Sequence, residues 1–225
     1  MDVTNDGAPP AEHARSLSEL TERIVARFDN LNAARDVALT RGRQIVRLSA
    51  NAVRSLHRNE LEAASSLLDE ARDLLVQVKE TTDPHPSLYW AGYVQDAMKE
   101  FAEAAVTAAI LGGLPLPTPE QLGVEDPPFL NALAEAASEL RRDTLDALRF
   151  DKVDRAVYLM QQMDDIYAVL VTVDFPDAIT GGLRRTTDQL RAVLERTRGD
   201  VTVALGQHRL ERALDRVETA LHRKS

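Results

Sequence analysis

Residues Ser87 to Gly112 read SLYWAGYVQDAMKEFAEAAVTAAILG, and the rest of the chain is read relative to this helix. At an advance of about 100° per residue, Val94, Ala97, Met98, Phe101, Ala105 and Ala108 fall on one apolar face. Asp96, Glu100 and Glu103 form a separate stripe at i, i+4 and i+7. From Phe101 to Leu114, Glu103 is the only charge in a run of Phe, Ala, Val, Ile, Leu, Gly and one Thr, so it is expected to be partly buried. A buried carboxylate must be protonated, paired with a cation or bound to a metal. Lys99 stands three residues after Asp96 and four before Glu103, so a ladder of helical ion pairs accounts for the stripe. The alternative is a metal-binding or catalytic carboxylate cluster.

Towards the N-terminus the pattern is helical from Ser16, with Ser16 or Ser18 as candidate caps and no proline before Pro84. A first helix, about Ser16 to His57, turns Leu17, Leu20, Ile24, Phe28, Leu31, Val37, Ile45, Leu48, Ala52 and Leu56 inward, with Gly42 a candidate bend. A second, about Glu60 to Glu80, stops before Asp83-Pro84-His85-Pro86. Towards the C-terminus, Gly112-Gly113, Pro115 and Pro117 break the chain, and Thr118-Pro119-Glu120-Gln121-Leu122 reads as a cap and one short turn. The next helix, Pro128 to Phe150, has Phe129, Leu133, Ala136, Leu140 and Ala147 on its core face. Glu135 and Glu139 stand one turn apart on another face, with Arg142 and Asp143 nearby as possible ion-pair partners. Further helices span about Asp151 to Val171 and Thr186 to His222, the latter with candidate bends at Gly199 and Gly206.

This pattern gives an all-α fold, a single-domain bundle of about six or seven helices with the Ser87–Gly112 helix packed against the Pro128–Phe150 helix. Residues 1–12, which include Asp6-Gly7 and Pro9-Pro10, lack periodicity and are expected to be a flexible tail before a helical domain over 13–225. An apolar fraction of 44%, dominated by Ala and Leu with only 4% aromatic residues, agrees with a helical chain. The absence of cysteine excludes disulfides and thiolate metal sites. No basic leader precedes an apolar segment, and no apolar run approaches the roughly 18 residues that cross a bilayer; a soluble cytoplasmic protein without a membrane partner is expected. The net charge of −9 argues against a general nucleic-acid coat but not against a local basic stripe. Two such stripes exist: Arg43, Arg47, Arg54 and Arg58 on the first helix, and Arg209, Arg212, Arg216 and Arg223 on the last. Each either balances an acidic surface or contacts a phosphate backbone.

No strand, Gly-rich turn and helix unit is present to hold a dinucleotide or a P-loop nucleotide, and no Ser nucleophile elbow occurs. The five histidines, His13, His57, His85, His208 and His222, lie off helical spacing from Glu100, Glu103, Glu135 and Glu139, which weighs against a di-iron bundle site built on Glu-x-x-His. What remains is an all-carboxylate site, with Glu100 and Glu103 on one helix and Glu135 and Glu139 on another. Oxygen-only ligands suit Mg²⁺ or Mn²⁺.

The stretch Tyr93 to Ala104, ending Met98-Lys99-Glu100-Phe101-Ala102-Glu103-Ala104, and the later Phe129-Leu130, Glu135, Glu139-Leu140 and Arg142 resemble the translin and translin-associated factor X family. The resemblance covers about residues 30 to 215 and is closer to the factor X branch, with its motif Gln-Glu-aromatic-x-Glu-Ala. It implies a translin-like fold, self-association with an octamer favoured, and single-stranded RNA as partner, held by Arg43, Arg47, Arg54 and Arg58. For Glu100, Glu103, Glu135 and Glu139 it implies roles as Mg²⁺ (or Mn²⁺) ligands and catalytic residues of an endoribonuclease. Two departures stand out. Glu135 occupies a position where the family has Asp, and Leu88-Tyr89-Trp90-Ala91-Gly92-Tyr93 replaces the His- and Arg-rich segment of translin. Two other readings stay open: a non-catalytic oligomer that binds RNA or single-stranded DNA, and an all-α nucleoside triphosphate pyrophosphohydrolase, which also uses Glu-x-x-Glu and a second acidic pair.

Overall fold

Long proline-free runs of Ala, Leu, Glu and Arg become long helices. The computed structural model describes residues 10–223 and contains, among them, six long helices and three single turns, with no strand. The long helices are α1 (Pro10–His57), α2 (Leu61–Thr82), α4 (Gly92–Gly112), α6 (Asp126–Arg149), α7 (Val153–Leu170) and α9 (Leu183–His222). The single turns are α3 (Pro86–Tyr89), α5 (Pro119–Leu122) and α8 (Asp177–Thr180). Residues 1–9 of the expected N-terminal tail lie outside the described residues. Helix α1 is already formed at Pro10, so Ser16 and Ser18 are interior residues and not caps. The turn at Thr118 closes as expected: its Oγ1 accepts from Gln121 N at 3.3 Å while Gln121 Oε1 accepts from Thr118 N at 2.9 Å.

The central stretch differs from one unbroken helix. It divides into α3 and α4, with Ala91 extended at φ −69°, ψ 142°. The break is held by Gln95, whose Nε2 donates to the Tyr89 carbonyl at 2.9 Å and so satisfies an acceptor orphaned at the end of α3. Helix α4 is buried on more than the one expected face. Val94, Ala97, Met98 and Phe101 are fully buried, but so are Ala102, Ala104 and Val106. Its first half packs with α1 and α2 around Ile45, Leu75 and Val78. Its second half, through Val106 and Ile110, joins the core of α6, α7 and α9 around Leu140, Met163 and Leu190. Small alanines let neighbours approach α4 from several sides. Gly42 is one such place and not a helix bend: α1 runs through it unbroken, 3.5 Å from its would-be Cβ to Tyr93 O of α4. Likewise α9 runs unbroken through Gly199 and Gly206.

The expected inward face of α1 holds only in its C-terminal half. Ile45, Leu48, Ala52 and Leu56 are buried, whereas Leu17, Leu20, Phe28 and Val37 are exposed. The reason is length: α2, at 22 residues, spans about 33 Å at about 1.5 Å per residue. Helix α1, at 48 residues, spans about 72 Å, so its first turns overhang. The last turns of α9 do the same, leaving Leu210, Leu214, Val217 and Leu221 exposed. No described helix is long and apolar enough to cross a membrane.

Candidate metal centre

Helices α4 and α6 pack side by side, α1 packs along α4 and reaches α6 through His57 at its end, and α4 and α6 each carry acidic side chains at helical spacing. Glu100 and Glu103 of α4 and Glu135 of α6 converge, each placing one carboxylate oxygen within 4.8 Å of the others. Glu103 makes no hydrogen bond or ion pair among the described residues. Burial pushes its carboxyl up to about 8, reinforced by the charges of Glu100, Glu135 and Glu139 and opposed by Lys99. Burial also raises Glu100, against the opposing charge and hydrogen bond of Lys99.

Lys99 is the cation of the cluster, but not through the expected ladder. Its ammonium lies 3.5 Å from Asp96, as spacing suggested, and otherwise 3.3 Å from Glu100 and 2.8 Å from Glu135. Glu135 offers both oxygens, the second at 3.0 Å, and outcompetes Glu103 for the ammonium. Burial pulls Lys99 down, yet the Glu135 hydrogen bond and the charges of Glu135, Glu100 and Asp96 outweigh it and hold the group above the ordinary lysine value.

Glu139 stands apart from this triad because a histidine holds it. His57, the last residue of α1, puts Nε2 2.6 Å from Glu139 Oε1 and Nδ1 2.9 Å from Asp143 Oδ2. The second contact is an ion pair lying off the N–H direction. The Asp143 and Glu139 contacts raise the imidazole to about 9 against the opposing effect of burial, so His57 is an imidazolium at neutral pH. It in turn holds Glu139 below the usual carboxylate range. Sequence spacing missed His57 because it reaches α6 from 82 residues away. The only trace was Glu139 and Asp143 one turn apart.

A cavity of about 250 Å³ opens over these groups, lined by His57, Glu100, Glu103, Glu139, Arg54 and Arg142 among others. Of the first arginine stripe, Arg54 borders this cavity. Arg58 is tied to Glu60 at 2.7 and 2.9 Å across the α1–α2 turn, and Arg43 and Arg47 are exposed farther along α1.

The donors suit a hard divalent cation. They are carboxylate oxygens alone, and an ion with ligands at about 2.1 Å separates opposite oxygens by about 4.2 Å. Three oxygens within 4.8 Å are therefore a small rotamer adjustment from ligation. Glu103, partly buried and without a cation of its own, is the group that an added positive charge would satisfy.

No family model matches the chain. It is 27% identical over 197 residues, 85% of its length and 86% of the relative's, to an uncharacterized protein of Methanocaldococcus jannaschii. Among solved structures it is similar to AfC3PO, at 31% identity and a TM-score of 0.77 over 83% of this chain and 97% of that one. It belongs to the translin-type C3PO family. AfC3PO has also been solved as a complex with duplex RNA, and that chain matches at 30% identity and a TM-score of 0.76, with the same coverage. The structure of apo-NeC3PO, 19% identical with a TM-score of 0.74 over 88% of this chain and 99% of that one, shares the C3PO fold.

Proposed function

We propose that this C3PO-family protein is a Mg²⁺- or Mn²⁺-dependent endoribonuclease acting on single-stranded RNA, closer to the factor X branch than to translin. The observation that carries the reading is the convergence of Glu100, Glu103 and Glu135 from two helices, with Glu103 partly buried and without an ion-pair partner of its own. These three would hold the ion, with Glu139 at the edge of the same cavity. When bound, the ion would polarise the scissile phosphate and lower the pKa of an attacking water.

The chain's own residues supply the rest. Lys99, fixed by Glu135, Glu100 and Asp96, presents a second positive charge to the phosphate. Arg54 and Arg142, at the rim of the cavity, contact flanking phosphates as diffuse backbone anchors. His57 clamps Glu139 and Asp143 and fixes α1 against α6 at the site. RNA as ligand is supported by the relative solved as a complex with duplex RNA. Self-association is supported by the exposed apolar turns of α1 and α9, which need a partner from another copy.

The test is cleavage of an end-labelled single-stranded oligoribonucleotide with Mg²⁺, with Mn²⁺ and with a chelator, alongside a blunt duplex and a nucleoside triphosphate. Cleavage of the single strand that requires divalent metal and is lost in Glu103→Gln is expected. One observation favours the non-catalytic RNA-binding reading: Lys99 already engages both oxygens of Glu135. Binding without cleavage in any metal would establish it.

A further inference from the structure

Beside the carboxylate cluster, on the far side of Lys99 from the smaller cavity, lies a cleft of about 730 Å³ between the start of α4, the start of α6 and the turn into α9. It adjoins the cluster directly, because Lys99 and Glu135 line it too. Its charges balance, Asp96 and Glu135 against Lys99 and Arg185, so it is not an anion funnel. What distinguishes it is an aromatic wall. Trp90 lines the cleft and remains 58% exposed, although indole is among the side chains most readily buried in part.

Trp90 is held there. Tyr89 meets it edge-on, with centroids 5.2 Å apart and planes at 79°, and Tyr89 is itself tied by its hydroxyl to Glu125, at the entry to α6. No ring stacks parallel on the indole. Arg185 and Gln189, which line the same cleft, form no side-chain hydrogen bond or ion pair among the described residues. Gln95 uses only its Nε2, on Tyr89 O. The cleft therefore offers a preset aromatic plane beside one guanidinium and two amides with unused capacity. Bases stack on such a plane at a strength sufficient to bind single strands, and amides and guanidinium read a base edge.

We propose that this cleft is a nucleobase subsite, in which Trp90 stacks the base of the nucleotide flanking the phosphate at the carboxylate cluster while Arg185 and Gln189 meet its edge. The inference rests on the RNA reading above and narrows it, because a stacked base must come from a single strand or a frayed end. From Asp96 to Glu103, α4 advances about 10 Å, so one short strand laid along α4 passes the cleft, Lys99 and the acidic cavity in turn.

The chain contains one tryptophan, so its emission reports on this subsite alone. The full-length protein in chelator, where nothing is cleaved, is titrated with an oligouridylate while anisotropy of the same labelled oligomer reports binding independently. The expected result is saturable quenching with the anisotropy midpoint. An abasic oligomer of equal length and a blunt duplex should leave the emission unchanged. Trp90→Ala should weaken binding by about fivefold or more, the loss of one base stack, and Trp90→Phe should largely restore it; the position is exposed enough for both variants to leave the fold intact. Binding by anisotropy with unchanged emission, or equal quenching by the abasic oligomer, overturns the subsite and leaves the RNA reading standing. No anisotropy change with any RNA at low salt overturns both.

Discussion

Glu103→Gln should stabilise the metal-free protein, the reverse of what losing an ion-paired glutamate does. The carboxyl titrates in the folded chain at about 8, against 4.5 for an ordinary glutamate. For an acid whose folded value is raised, stability is greatest while both states keep the proton. It falls as pH rises through 4.5 and levels off above about 8. At pH 7 the unfolded chain has released the proton and the folded chain has not, a difference of about 3 kcal/mol at about 1.36 kcal/mol per pH unit. Halving this for the partial solvent contact of the side chain leaves a gain of about 1.5 to 3 kcal/mol for the neutral amide. In a chain of this size that is a Tm increase of about 3 to 12 °C.

Thermal unfolding of wild type and variant in chelator, from pH 4.5 to 8.5, checks the sign: the two should converge at the acid end and separate towards pH 8. Mg²⁺ or Mn²⁺ should then narrow or invert the gap. A ligand at about a hundred times its Kd stabilises the state that binds it by about 2.7 kcal/mol, and the amide has lost the anionic oxygen. A variant less stable than wild type in chelator at pH 7, by the roughly 0.2 to 1 kcal/mol of an exposed ion pair, would refute the burial argument. Equal metal stabilisation of both proteins would refute Glu103 as a ligand.

The remaining expectations follow from other contacts. The His57 imidazolium, raised to about 9, contributes stability present below about 6.5 and lost as pH rises through about 9, at most about 3 kcal/mol. The difference in unfolding free energy between wild type and His57→Gln, measured in chelator, should shrink across that window. Gly42→Ala should raise stability by about 0.5 to 1 kcal/mol by denaturant unfolding, because its Cβ would meet its nearest neighbours at ordinary contact distances of 3.5 and 3.8 Å. Arg54→Gln should reduce the slope of log affinity against log salt for an oligoribonucleotide by about one, and an unchanged slope would remove Arg54 from the phosphate contacts. Leu210→Glu with Leu214→Glu, on the exposed overhang of α9, should lower the mass seen by light scattering without changing helicity.

What the sequence made legible were regularities within single helices. The stripes Asp96, Glu100, Glu103 and Glu135, Glu139 follow from the helical step, and so do the inward positions Ile45, Leu48, Ala52 and Leu56, where α1 has partners. Periodicity carries no information about whether a partner is long enough, which is why Leu17 and Phe28 have the same spacing and the opposite burial. It is equally silent about contacts between helices. Lys99 had two candidate partners one turn away, and its shortest ion pair went to Glu135 on another helix. Glu139 stands one turn from Glu135 in the sequence, and its oxygen also meets His57 of another helix.

The site lies where it does because α4 serves two cores at once. Alanines let α1, α2 and α6 close on it, leaving almost no room for charge along its length. Its acidic residues and Lys99 emerge in one strip, over the seam between α1 and α6. At the head of that strip the helix stops at Ala91 and begins again at Gly92, and the break leaves Trp90 pointing into an open cleft instead of the core. An uninterrupted helix from Ser87 would have carried Trp90 round with its own turn. The interruption that sequence periodicity overlooked thus lies next to the cleft in which we place the base.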